Sequence, residues 1–390
     1  MSEMTLTPVT VARWAAVAAL SLGTFALVTS EMLPVGLLTA MGADLGASDG
    51  VMGLVMTACG LVGAVAAPLV AAGRTDRRVV LTASMGLLAV ATLLAAATPN
   101  VAVLLVARLA AGLAFGGFWA LAAGMALRLV PAPAVPRATA IIMSGIALAS
   151  VVGVPAGTLL GDATGWRTAV AAVGVLCLVV LVALLVVLPP LPATHTMRAA
   201  DVPRLLTRRP AVRACTLGLA LVVVAHFAAY TFVRPVLEDV SGVDEDLVGT
   251  LLLVYGLAGV AGNFAVGALV SRLPYGSTAL ALAFLGGAVV LIPLVGEGTG
   301  RATLLLVAWG IGYGAVPVVF QTWMLRAVPD APEAGSALIV TTFQISIALG
   351  SLLGGRLVDG VSTTSVMWFA AVLVLAALLT VHHATRRVRT

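Results

Sequence analysis

From Trp14 to Ala40 the chain carries one charged residue, Glu31, and similar apolar runs recur along its whole length. Only 9% of its 390 residues are charged and 61% are hydrophobic, whereas a soluble domain is nearer 25% charged. No folded surface in water can accommodate so much apolar area, so the solvent has to be lipid. A hydrocarbon layer about 30 Å thick needs about 20 apolar residues per helix, and about 32 residues per span and connector gives about twelve spans. The runs are unbroken rather than alternating, which excludes a membrane β-barrel. The expected fold is all-α and integral to the membrane.

Breaks at polar, Gly and Pro clusters place the spans at about 12–38, 51–72, 79–98, 101–129, 138–160, 167–189, 213–237, 247–270, 276–296, 301–327, 334–357 and 363–384. The first run is too long for a signal peptide, contains Glu31 and lacks a small-residue cleavage site, so it is read as a retained span. One connector, 190–212, is longer and rich in Arg and Pro. It divides the chain into a six-span bundle at 1–190, a linker at 191–212 and a second bundle at 213–390. Cys59, Cys177 and Cys215 form no CxxC pair and read as small apolar residues, not as disulfides or metal ligands.

The net charge of +5 rests on 21 basic residues, all of them arginine. Sixteen of the 21 fall on one side if the N-terminus is cytoplasmic: Arg13, Arg74, Arg77, Arg78, Arg128, Arg137, Arg272, Arg326, five from Arg198 to Arg213 and three in the tail. The positive-inside bias then puts both termini in the cytoplasm of a plasma-membrane protein. Arginine spread in this way is no nucleic-acid footprint, and no nucleic-acid partner is expected.

The halves repeat. RLVPAP at 128–133 pairs with RAVPDAP at 326–332, an offset of 198 that also aligns Gly112 with Gly310 and Gly116 with Gly314. Gly153 and Gly157 match Gly350 and Gly354 at 197, and CGLVG at 59–63 matches YGLAG at 255–259 at 196. Two parallel six-span repeats are the architecture of a rocking transporter with its site near the midplane. TSEMLPVGLL in span 1, ARLAAGLAFGGFWAL in span 4, HFAAYTFVRPVLE in span 7, VPVVFQTWMLRAVPDA in span 10 and FQISIALGSLLGGRLVD in span 11 carry a further likeness. With them the whole chain resembles the major facilitator superfamily, in its drug/proton antiporter branch, and is similar there to sugar (arabinose) and purine ribonucleoside efflux transporters. The resemblance implies a monomeric, proton-driven exporter of sugars, nucleosides or drugs that works by alternating access without cofactor or metal. An uptake facilitator or symporter of the same fold is the alternative. A membrane sensor or intramembrane enzyme is a distant one, because no catalytic constellation or output domain is visible; the chain is not expected to be an enzyme.

A carboxylate at a span centre costs about 2.5–3.5 kcal/mol on insertion scales, so Glu31 needs a reason. It is either an interfacial side chain reaching the headgroups or a proton carrier. Arg108 lies at similar depth in span 4, and the family's RxxxG motif, here Arg108 to Gly112, is implicated in proton coupling. Arg108, Gly112, Phe115 and Trp119 share a face, which suits either close span packing or a cavity wall where Phe115 and Trp119 stack on substrate. His226, Tyr230 and Arg234 share a face of span 7. Arg234 can snorkel; Tyr230 is a substrate candidate; His226 is a packing residue or a second proton site. Asn263, Gln321 and Gln344 are mid-span amides that serve either as interhelical glue or as substrate contacts.

Two motifs depart from the family. GRTDRRVVL after span 2 has Gly73 where the family's cytoplasmic gate has an acid, and Ser271 stands at the matching place in the second half. Arg74, Asp76, Arg77 and Arg78 are the gating candidates, with Asp76 able to substitute for the missing acid. GIALASVVGVPAGTLLG at 145–161 resembles the antiporter signature, with Val154-Pro155 in place of Gly-Pro. Gly153, Pro155 and Gly157 are expected to bend and thin span 5 at the interface between halves.

Overall fold

A computed structural model describes residues 8–192, 206, 209–270, 273–329 and 332–389. Most of the linker at 191–212, together with Ser271 and Arg272, lies outside the described residues. Twelve helices are long and apolar enough to cross a membrane, and no strand occurs among the described residues. Span 1 is Pro8–Leu45, span 2 Asp49–Ala72, span 3 Arg77–Ala96 and span 4 Val101–Ala122. Span 5 runs Val135–Leu148, passes a π-helical turn at Ala149–Gly153 and resumes as Val154–Thr164; span 6 is Trp166–Val187. Span 7 is Pro210–Tyr230, followed by a short helix Val233–Pro235 and a π-helical turn Val236–Val240. Spans 8 to 12 are Glu245–Val270, Pro274–Val295, Thr299–Ala327, Pro332–Gly360 and Ser365–Arg389.

Local chemistry sets several boundaries. Ser48 caps span 2 by accepting from Val51 N at 3.2 Å, and Asp76 caps span 3 by accepting from Arg78 N at 2.7 Å. The π turn in span 5 precedes Pro155, whose missing N–H cannot continue the α ladder, so the backbone widens there.

The buried apolar residues fall into two clusters. One gathers spans 1 to 6, from Ala16 to Leu191, and is joined by Phe232; the other gathers spans 7 to 12, from Val212 to Val381, and is joined by Val35 and Met56. Lipid tails are as apolar as leucine, so the spans associate by close packing and not by the hydrophobic effect. Glycine makes that packing possible, and it does so twice in the same way. A methyl on Gly112 would lie 2.5 Å from Cys59 O, and one on Gly116 would lie 2.6 Å from Gly63 O. In the second half, a methyl on Gly310 would strike Tyr255 O and one on Gly314 would strike Gly259 O. These are the residues paired by the sequence offsets, so span 4 crosses span 2 as span 10 crosses span 8.

The remaining repeat glycines correct one expectation. Gly153 and Gly157 pack on Thr29 and Leu33 of span 1, inside the first bundle. Their counterparts Gly350 and Gly354 pack on span 7, at Val224 O and Ala228 O. The thinning thus tightens each bundle. Between halves the space is made from the other side, where Gly256 lies under Ser150 O and Gly249 under Leu159. Spans 2 and 11 form the second cross-half seam, with Gly60 against Gln344 O and Thr57 Oγ1 donating to Ala348 O at 3.2 Å.

Candidate functional site

Span 1 contains Pro34, so Ser30 O loses the helix N–H that would have been its donor. Arg108 supplies the replacement: its Nη1 donates to Ser30 O at 2.9 Å. A carbonyl freed by proline therefore anchors a buried guanidinium one residue from Glu31. Both side chains are deeply buried, Glu31 at 5% exposure and Arg108 at 3%. They sense each other's charge without forming an ion pair, and Glu31 Oε1 and Arg108 Nε both lack a hydrogen-bond partner.

Gln344 of span 11 reaches this pocket from the second half. Its amide lies beside the Glu31 carboxyl, yet Nε2 has no partner of hydrogen-bonding geometry. Gly63 leaves room for it, since a methyl there would meet Gln344 Nε2 at 3.1 Å. Three buried polar groups from three spans converge, each with capacity left over. Buried polar atoms are rarely left unpaired, and those that are point to a ligand, a proton or a water.

The second half faces this pocket with a block of rings. His226 stacks on Tyr313 with centroids 3.3 Å apart and planes 5° apart, and on Tyr230 at 4.8 Å and 18°. Tyr255 stacks on Tyr230 at 4.9 Å. Trp309 stands edge-on to His226, Tyr230 and Tyr255, and its Nε1–H donates to His226 Nδ1 at 3.0 Å. That bond fixes the tautomer: Nδ1 accepts, so a neutral ring carries its proton on Nε2. Tyr313 is the half-buried member of the block and lies close enough to Glu31 to feel its charge.

Other expected residues sit apart from this centre. Phe115 is wholly buried in the first bundle's core, and Trp119 is half-buried against it. Asn263 is exposed on span 8 and Gln321 is half-buried on span 10. Asp76 binds Leu191 N at 3.0 Å as well as its own helix start, Arg77 donates to Gly73 O at 3.1 Å, and Arg78 donates to Leu185 O at 2.6 Å. These three bonds stay within the first half and its connector; Arg74 is exposed.

Arg234 does not snorkel. It is 3% exposed at the end of the molecule away from the termini. Its Nη1 donates to Gly36 O at 2.7 Å and to Asp162 Oδ1 at 3.0 Å, both in the first half, and its Nε donates to Glu238 Oε1 at 2.7 Å. Thr39 Oγ1 donates to Glu238 Oε2 at 3.3 Å, and Asp359 accepts from Ser48 Oγ at 2.5 Å and from Gly50 N at 2.9 Å. Among the described residues, cross-half side-chain bonds therefore gather at this far end. Asp162, Glu238, Tyr255, Trp309 and Tyr313 were missed from sequence. The one available signal was the i, i+4 spacing of Trp309 and Tyr313, which repeats that of His226 and Tyr230.

Twelve spans in two pseudo-repeated bundles, with buried polar groups and a ring block meeting between them, define a multi-pass membrane transporter of the two-bundle type. The chain belongs to the Major Facilitator Superfamily, whose sequence signature matches residues 20–350. Over 383 residues it is 37% identical to the transcription regulatory protein OpdE of Pseudomonas aeruginosa, covering 94% of this chain and 93% of that one. Over 377 residues it is 33% identical to the purine ribonucleoside efflux pump NepI of Escherichia coli, covering 94% and 93%. Among solved structures, a bacterial homologue of the human lysosomal transporter Spinster, inward-facing and unoccupied, superposes with TM-score 0.76 at 16% identity over 97% of this chain and 98% of that one. A variant of the nucleoside transporter NupG superposes with TM-score 0.77 at 13% identity over 96% and 99%. The chain is a transporter and not an enzyme. Among the described residues no group of three or more His, Cys, Asp or Glu could hold a metal ion.

Proposed function

We propose that this protein is a proton-driven exporter of small molecules, purine ribonucleosides first among them, working as a monomer with both termini in the cytoplasm. The observation that carries the reading is Glu31, a buried carboxyl with one unpartnered oxygen beside a cation that is itself held by a proline-freed carbonyl. Such a group gains and loses a proton as its neighbours move. Export is supported by the relative named as an efflux pump, and a flat substrate by the ring block facing Glu31. The latch at Arg234 fits a state closed at the far end. One proton crossing 100 mV supplies about 2.3 kcal/mol, which sustains about 50-fold accumulation.

The test uses everted vesicles with an acid interior, following uptake of labelled purine nucleosides, arabinose-type sugars, chloramphenicol and a lipophilic cation. Accumulation of one class that a protonophore collapses and Glu31→Gln abolishes is the expected result. Uptake independent of the gradient would instead indicate the facilitator. The relative named as a transcription regulatory protein keeps a regulatory reading in view. It requires wild-type vesicles to accumulate none of the panel under any gradient.

A further inference from the structure

Tyr313 of span 10 has one ring face covered, by His226 at a centroid distance of 3.3 Å with planes 5° apart. Phe227 stands edge-on to it at 6.1 Å. The residue is nonetheless only half-buried, and among the described residues no second ring stacks on it. Behind it the block is rigid. His226 is held by the Trp309 N–H at 3.0 Å and by Tyr230 stacked at 4.8 Å, so Tyr313 has a fixed backing. Tyr313 lies close enough to Glu31 to feel its charge, and Glu31 Oε1, Arg108 Nε and Gln344 Nε2 are buried without partners. Two unpaired donors and one unpaired acceptor thus lie near a half-buried aromatic ring.

We infer that Tyr313 is the specificity-determining platform of the transport site. The flat heteroaromatic ring of the substrate stacks on the Tyr313 ring while polar edge groups or hydroxyls take the vacant bonds of Glu31 and Gln344. The assignment deepens the proposed function and rests on its placing the substrate between the halves. A platform backed by other rings suits stacking, because little conformational freedom is lost when a ligand settles on it. It divides the labour: the second half reads the ring through Tyr313, and Glu31, Arg108 and Gln344 read the polar part.

The test is equilibrium binding of adenosine and ribose to the full chain in nanodiscs, for wild type, Tyr313→Phe and Tyr313→Leu. Loss of one base–aromatic stack predicts that Tyr313→Leu weakens adenosine binding by about 5- to 150-fold and lowers the adenosine-to-ribose affinity ratio by a similar factor. Tyr313→Phe keeps the ring and restores binding to within about threefold of wild type. Retained tryptophan fluorescence and thermal stability certify that Tyr313→Leu is folded. Adenosine affinity in Tyr313→Leu within twofold of wild type overturns the inference, as does a wild type that binds no flat heteroaromatic ligand. Neither result touches proton coupling, which is read separately in vesicles with Glu31→Gln.

Discussion

The bonds of Arg234 make the far end of the molecule a latch whose strength can be worked out. Two of them cross between halves, to Gly36 O at 2.7 Å and to Asp162 Oδ1 at 3.0 Å. The side chains of Arg234 and Asp162 are 4% and 17% exposed, so screening by water is slight. Removing one partner of such a hydrogen-bonded charge pair costs about 2–5 kcal/mol, much of it for the charge left behind. Taking about 2–4 kcal/mol, Arg234→Met lowers the ratio of far-end-closed to far-end-open molecules by about 30- to 900-fold. A 99:1 population becomes about 3:1 at the lower figure. Spin labels at Ala163→Cys and Asp246→Cys read this directly, because both positions are exposed on opposite halves while Cys59, Cys177 and Cys215 are buried. The expected result is a new long-distance population in Arg234→Met and in Asp162→Asn. Glu238→Gln should move it less, since the Arg234–Glu238 bond lies within one half and a glutamine oxygen can still accept the cross-half Thr39 hydroxyl. A distance distribution unchanged from wild type, or an equal shift in Glu238→Gln, would refute the reasoning.

The glycine seam and the histidine make separate demands. Gly314→Ala puts a methyl into Gly259 O, and overpacking of this kind costs about 1–3 kcal/mol, so the apparent Tm in detergent should drop by several degrees; an unchanged Tm would mean the crossing is looser than described. His226→Asn keeps an acceptor for the Trp309 N–H, and transport by this variant is expected to retain its dependence on the proton gradient. Loss of that dependence with substrate binding intact would move the proton site to His226.

The twelve spans were legible because each had to supply its own run of apolar residues, and composition alone marks such runs. The repeat was legible for a sharper reason: the offsets that pair Gly112 with Gly310 and CGLVG with YGLAG preserve backbone-to-backbone crossings that no side chain tolerates. Glu31 and Arg108 stood out because charge is expensive in lipid, and their shared depth followed from counting residues. What the sequence left hidden depends on which faces meet. Tyr255 read only as the partner of Cys59 in the repeat, and nothing local says that its ring joins His226 across three spans. Arg234 was ambiguous because Asp162, its cross-half partner, lies 72 residues away. Gln344 was one of three equivalent amides until Gly63 proved to make room for it. Gly153 and Gly157 were read as thin points between the halves, and the neighbour they pack on is span 1.

The central claim is that Glu31 exchanges a proton for substrate. It is tested most directly in proteoliposomes of the purified protein loaded with a pH-sensitive dye, with no gradient imposed, by adding inosine to one side and following proton movement. Wild type should move protons against the direction of inosine, and Glu31→Gln should move inosine slowly or not at all, with no proton signal. Proton movement of wild-type size in Glu31→Gln would contradict the account.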